Sequence, residues 1–157
     1  MRFLVSGGGG FIGSHLVEEL SNNNKNLMII VDDFSTGLSN NIPNKKNIIV
    51  EEGSVGNLLL LEKIFVKYSP EIVIHTAASY GSPDDWNTDI QTNIIGMVNL
   101  ITFSRKHSIS KFIYLQTSLC YGLDPGSYPV NIGDSYFNGS YHGGSSYAVS
   151  KTAGELY

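Results

Sequence analysis

The run Gly7-Gly8-Gly9-Gly10-Phe11-Ile12-Gly13 constrains this chain more than any other feature. It joins the short apolar run Phe3, Leu4, Val5 to Ile12, Leu16 and Leu20, which fall at helical spacing. Gly7, Gly10 and Gly13 form a G-x-x-G-x-x-G pattern between a strand and a helix. Glycine permits positive φ and lets the backbone approach an anion without a Cβ in the way. The unbonded amides of the helix start, those of Phe11 and Ile12 among them, and the helix dipole favour a pyrophosphate there. Gly13 would let the helix sit close to the sheet. A glycine cluster alone also fits a plain tight turn, so its context decides. Asp32 follows the second apolar run, residues 27–31, 19 positions after Gly13. A carboxylate there accepts both ribose hydroxyls of an adenosine and repels a 2′-phosphate. The pattern predicts a dinucleotide site with NAD preferred over NADP; Asp33 is the second candidate, or a loop cap.

Strand-like and helical patterns alternate along the chain. Asn22-Asn23-Asn24 stops the first helix, and residues 35–46 read as a polar loop containing Pro43. Residues 47–51 read as a third strand, and Leu58, Leu61 and Phe65 as a helix that Pro70 ends. Residues 71–75 read as a fourth strand. Ile90, Ile94, Val98 and Ile101 predict one amphipathic helix over residues 87–107. Residues 111–116 read as a fifth strand, residues 122–144 as a long Gly/Ser/Tyr/Asn-rich loop, and a last helix starts near Ser145. Strand, helix, strand in repetition predicts an α/β fold: an open, doubly wound parallel sheet of Rossmann type with five strands.

With 157 residues, 41% hydrophobic and 15% charged, the chain fits one domain with an ordinary core. The net charge of −4 and the lack of a Lys/Arg block argue against nucleic acid and anionic membrane as partners. No apolar run approaches the ~20 residues that span a bilayer. The strand-like opening Arg2-Phe3-Leu4-Val5 predicts no signal peptide and a cytoplasmic protein. Asn138-Gly139-Ser140 then spells a glycosylation sequon by chance. The single cysteine, Cys120, can close no internal disulfide. His15, His75, His107 and His142 lack metal-ligand spacing, so no metal is expected.

Tyr147-Ala148-Val149-Ser150-Lys151 places Tyr147 and Lys151 at i and i+4, on one helix face. Lowering a tyrosine by about three pH units needs about 4 kcal/mol. A lysine cation ~4 Å away supplies roughly that at an effective dielectric near 20. Tyr147 could then remove a hydroxyl proton while a hydride passes to a nicotinamide, with Lys151 also holding the cofactor ribose. Alone, the pair also fits a surface Tyr and Lys.

Taken together, Ser6-Gly7-Gly8-Gly9-Gly10-Phe11-Ile12-Gly13, Val31-Asp32-Asp33-Phe34-Ser35-Thr36-Gly37, His75-Thr76-Ala77-Ala78 and Tyr147-x-x-x-Lys151 resemble the extended short-chain dehydrogenase/reductase family, and within it the nucleotide-sugar epimerases of UDP-galactose 4-epimerase type. The likeness covers essentially the whole chain. It implies an NAD-dependent epimerase, an isomerase acting on a nucleotide sugar through a 4-keto intermediate. Catalysis would fall to Thr117, Tyr147 and Lys151, with Ser118 as the alternative hydroxyl. Cofactor contacts would come from Gly7, Gly10, Phe11, Ile12, Gly13, Asp32, Ser54, Val55, Ala77, Ala78, Asn93, Tyr147 and Lys151. Asn93 would support the site through backbone contacts; as plain sequence it also fits a solvent-facing or capping Asn.

Two departures bear on the chemistry. The family's 4,6-dehydratases carry Asp-Glu after the catalytic threonine, and its decarboxylases usually a Glu in the same segment. Ser118-Leu119 stand there instead, so epimerisation leads and a related reductase or decarboxylase is the runner-up. Gly53-Ser54-Val55 replaces the usual Gly-Asp-hydrophobic, which weakens the expected adenine contact. Family members are about twice this length. The resemblance therefore implies that residues 1–157 are the NAD-binding part of a longer protein. Its C-terminal strands and substrate domain would be absent here, and the whole protein would be a homodimer. A non-catalytic NAD-binding module is the rival reading.

Overall fold

The computed structural model describes residues 1–82, 84–121, 129–131 and 144–157. Most of the expected loop 122–144, with the sequon and His142, lies outside the described residues. Five strands, β1 (Arg2–Ser6), β2 (Leu27–Asp32), β3 (Ile48–Glu52), β4 (Ile72–His75) and β5 (Lys111–Tyr114), form one sheet in the order β3-β2-β1-β4-β5. Every pairing is parallel, with Ser6 opposite both Val31 and His75. The order reverses between β1 and β4, and in such sheets ligands bind in the crevice beyond the strand ends at that point.

Period-two alternation sorts the strand residues between two cores. Leu4, Ile29, Val31 and Val73 face helix α2 (Leu58–Tyr68), through Leu61, Ile64 and Phe65, and helix α4 (Gly96–Lys106), through Leu100 and Phe103. Phe3, Val5, Met28, Ile30 and Ile74 pack with Val17 of α1 (Phe11–Ser21). Phe65 and Phe103 stack at 5.4 Å and lock α2 to α4. Helix α2 starts on an Asn57 cap, whose side chain accepts the Leu60 N–H, and stops at Ser69 in the left-handed region (φ 47°), just before Pro70.

Two elements differ from expectation. The predicted helix 87–107 is a turn of α-helix, α3 (Trp86–Asp89), a π-helical stretch Ile90–Ile95, and then α4. The wide turns carry Asn93, whose side chain bonds backbone and helix on both sides rather than facing solvent. β5 ends at Tyr114 rather than residue 116, and past it Gln116 turns its own Oε1 onto the Thr117 N–H. The last helix, α5, spans Ser146–Glu155 and so starts near Ser145 as expected, with the Ser145 hydroxyl oxygen accepting the Ala148 N–H as a cap. Among the described residues, no helix is long and apolar enough to cross a membrane.

Candidate active site

The glycine turn sits at the carboxyl end of β1. Gly7 has φ +76°, and a Cβ there would lie 2.5 Å from the Ala77 nitrogen. Only glycine therefore lets the turn pass against the end of β4. A Cβ on Gly13 would lie 2.1 Å from the Gly7 carbonyl oxygen, so this residue is what brings α1 against the turn. Gly10 caps α1, and its carbonyl accepts the first bond into the helix, from Ser14 N–H at 3.0 Å. The amides of Phe11, Ile12 and Gly13 precede that bond, and Phe11 and Ile12 are exposed. Thr76 stitches the turn to β4: its hydroxyl donates to the carbonyls of Ser6 (2.6 Å) and Gly7 (3.1 Å).

Asp32 ends β2 beside this turn and is buried. Its Oδ2 accepts the Gly9 N–H at 2.7 Å and its Oδ1 the Phe34 N–H at 2.9 Å. Each oxygen keeps a further lone pair, and both are held in one orientation. Asp33 instead accepts from Ser35 N–H and Oγ–H and shapes the loop, the second of the two roles open to it from sequence. That loop folds back on the turn: Leu38 N–H and Asn41 Nδ2 both donate to the Gly9 carbonyl.

Beyond β3, the Ser54 oxygen accepts the Gly56 N–H at 3.1 Å, which occupies part of its acceptor capacity. The Val55 side chain is in the core against Gly96, where a Cβ would come within 2.4 Å of it. Asn99 on α4 fixes this turn by donating to the Val55 and Gly56 carbonyls, each at 3.2 Å. Ala77 and Ala78 are half-buried after β4.

Asn93 is buried and acts as a clamp. Its Oδ1 accepts the Ser79 N–H, and its Nδ2 donates to the Ser79 carbonyl and to Ser150 Oγ, all at 2.9 Å. The segment carrying Tyr80 is thereby tied to α5 one residue before Lys151. Tyr80 meets Tyr147 edge-on, with ring centroids 6.1 Å apart. The two rings line a cavity of about 370 Å³ with Ser82 and Ser145. Next to Asn93's clamp, Asp89 Oδ2 accepts the Ser146 hydroxyl at 2.6 Å.

Lys151 is 2% exposed. Its Nζ donates to the Leu115 carbonyl at 2.8 Å and lies 4.0 Å from the centre of the Tyr114 ring. Burial pushes its ammonium down to about 8, which leaves it cationic at neutral pH. Thr117 follows β5 at the head of a short 3₁₀ turn, Ser118–Tyr121, where its hydroxyl oxygen accepts the Leu119 N–H at 3.3 Å. Ser118 is exposed, and Cys120 is buried. His75, at the end of β4, is fully buried with Nδ1 2.7 Å from Ser6 Oγ. Burial first, then the Lys151 charge, pushes it down to about 3, so it is neutral.

Sequence reasoning assigned no role to Thr76, Asn41, Asn99, Tyr80 or Tyr114. Thr76 stands inside the quoted His75-Thr76-Ala77-Ala78 segment; the others carry no local signal, because their partners are distant in the chain.

The model of the NAD dependent epimerase/dehydratase family matches residues 3–157. The chain belongs to this family. It is 33% identical over 164 residues to a Bacillus subtilis protein described as the uncharacterized UDP-glucose epimerase YtcB, covering 99% of this chain and 50% of that protein. The Bordetella bronchiseptica enzyme WbmG, solved with NAD, superposes with a TM-score of 0.91 at 36% identity, over 99% of this chain and 48% of that one. UDP-glucose 4-epimerase from Thermotoga maritima, solved with UDP-glucose, gives 0.88 at 33% identity, over 100% of this chain and 50% of that one. The chain thus spans about half the length of these family members.

Proposed function

We propose that this chain is the NAD-binding part of an epimerase that inverts a nucleotide sugar through a 4-keto intermediate. One observation carries the reading: the parallel sheet delivers the glycine turn (β1), the Asp32 carboxylate (β2) and the Lys151 ammonium (beyond β5) to the same, carboxyl edge of the sheet. The residues fit NAD. The turn has no Cβ where a diphosphate would approach, the first α1 amides are unspent, and the oriented Asp32 suits ribose hydroxyls while opposing a 2′-phosphate. The relatives solved with NAD and with UDP-glucose support the same assignment.

Bound there, NAD would supply reversible hydride chemistry at the sugar carbon. The chain's own groups handle protons and positioning. Tyr147 takes the proton of the sugar hydroxyl, and Thr117 hydrogen-bonds the same oxygen. Lys151, cationic and fixed on the Leu115 carbonyl, favours the tyrosinate by its charge. Asn93 keeps the Tyr80 segment and α5 in register. The Ser118-Leu119 pair supplies no carboxyl to eliminate water, which favours epimerisation over dehydration. We place the protein in the cytoplasm as a homodimer, and its substrate as a UDP-sugar.

The test uses the whole protein that contains this chain. It is incubated with NAD and UDP-glucose, UDP-galactose or the hexuronates, and products are followed by proton NMR. A 4-epimer should accumulate to equilibrium without net NADH. Tight NAD binding with no epimer from any of these sugars would defeat the assignment. Tyr147→Phe should cut turnover by roughly 10²–10⁴-fold while leaving NAD affinity nearly unchanged.

A further inference from the structure

Lys151 is held by three consecutive residues of the β5 end. Leu115 accepts from its ammonium, while the Tyr114 hydroxyl (3.0 Å) and Gln116 Nε2 (3.1 Å) donate to its backbone carbonyl. Tyr114 does two things at once: the same side chain bonds the Lys151 main chain and places its ring face 4.0 Å from Nζ. The phenol fits only because residue 154 is glycine. A Cβ there would lie 2.7 Å from the Tyr114 oxygen and 3.2 Å from Cζ. The ring also neighbours the buried His75 imidazole, with centroids 5.7 Å apart and planes tilted by 32°. A neutral imidazole can sit beside this pair without repelling the ammonium, and burial keeps His75 neutral.

We propose that Tyr114 is a positioning residue for the Lys151 ammonium, its ring forming a cation-stabilising floor that Gly154 makes room for. The proposal rests on the reading of Lys151 as part of the proton machinery. The ring face attracts the cation through its quadrupole, and the hydroxyl fixes the helix turn from which the lysine projects. The titratable groups around the pair are His75 on β4, Tyr147 and Glu155 on α5, and the Tyr114 phenol itself. Burial, then Tyr147, then Glu155, push that phenol well above its ordinary range, so it stays a neutral donor.

The experiment labels lysine Cε with ¹³C in the whole protein, assigns Lys151 by Lys151→Arg, and titrates its resonance with and without Tyr114. Tyr114→Phe keeps the ring and should leave the titration midpoint in place. Tyr114→Leu removes the ring and should lower the midpoint by roughly half a pH unit or more. It should also cut kcat about tenfold with little change in the KM for the sugar nucleotide. Gly154→Ala should lower the midpoint in the same direction by pushing the phenol aside, and adding Tyr114→Phe should reverse part of that effect. A folded Tyr114→Leu protein with an unchanged or raised midpoint would overturn the proposal. If Tyr114→Leu does not fold, failure of Tyr114→Phe to rescue Gly154→Ala would do so. The resonance is read without turnover, so a shifted midpoint in a protein that epimerises nothing would defeat the epimerase reading and leave this one standing.

Discussion

Gly13 and Asp32 show how much one position can decide. The neighbours of a Gly13 Cβ include the main chain of Gly7, which cannot rotate away as a side chain can. Gly13→Ala should therefore either unfold the turn or displace α1. We expect a loss of about 2 kcal/mol or more in urea unfolding, with NAD affinity falling alongside. Wild-type stability with intact binding would mean that the turn is not as tight as described. For Asp32→Ala the expected loss is two charge-assisted bonds to a ribose, a fall in NAD affinity of roughly 10–100-fold, and weaker rejection of NADP by calorimetry. An unchanged preference would remove Asp32 from the ribose. The placement of both residues was legible in the chain because it follows from local patterns, a glycine spacing and a carboxylate at a strand end.

Elements were legible wherever periodicity carried them. The strands centred on Leu4, Ile29 and Val73 and the α2 pattern of Leu61 and Phe65 lie where short apolar runs and helical spacing put them. The π-helical stretch Ile90–Ile95 was not legible, because apolar spacing at Ile90, Ile94 and Val98 fits an ordinary helix equally well. The wide stretch coincides with bonds to groups outside the helix, those of Asn93 to Ser79 and Ser150. Asn93→Leu would leave the Ser79 N–H and carbonyl without that partner. The expected cost is about 2–4 kcal/mol in denaturant midpoint analysis, and faster amide exchange at Ser79. A cost under about 0.5 kcal/mol would show that water replaces the clamp.

At the scale of the whole molecule, buried bases set the pH range of stability. His75 titrates near 3 when folded and near 6.5 when exposed. Between those values the unfolded chain binds the extra proton, so stability is full above about pH 6.5 and falls toward pH 3, at up to ~1.4 kcal/mol per pH unit. Glu51, lowered first by the Tyr68 hydroxyl bond and then by Lys67 and Lys63, adds to the acid loss below its ordinary range. Lys151, near 8 when folded against 10.5 when free, makes stability rise between those two values. Urea midpoints from pH 3 to 10 check both limbs. His75→Gln should flatten the acid limb, and an unchanged slope would remove His75 as its source. By itself the sequence determined the parallel α/β architecture, the tight glycine turn between β1 and α1 and the Tyr147/Lys151 spacing, since each follows from local backbone freedom or from the period of a single element. Only the tertiary structure decided which groups surround Lys151, why residue 154 is glycine, and what Asn93 holds. Those contacts join residues 14 to 57 positions apart or bring separate elements together, and no local pattern encodes such a meeting.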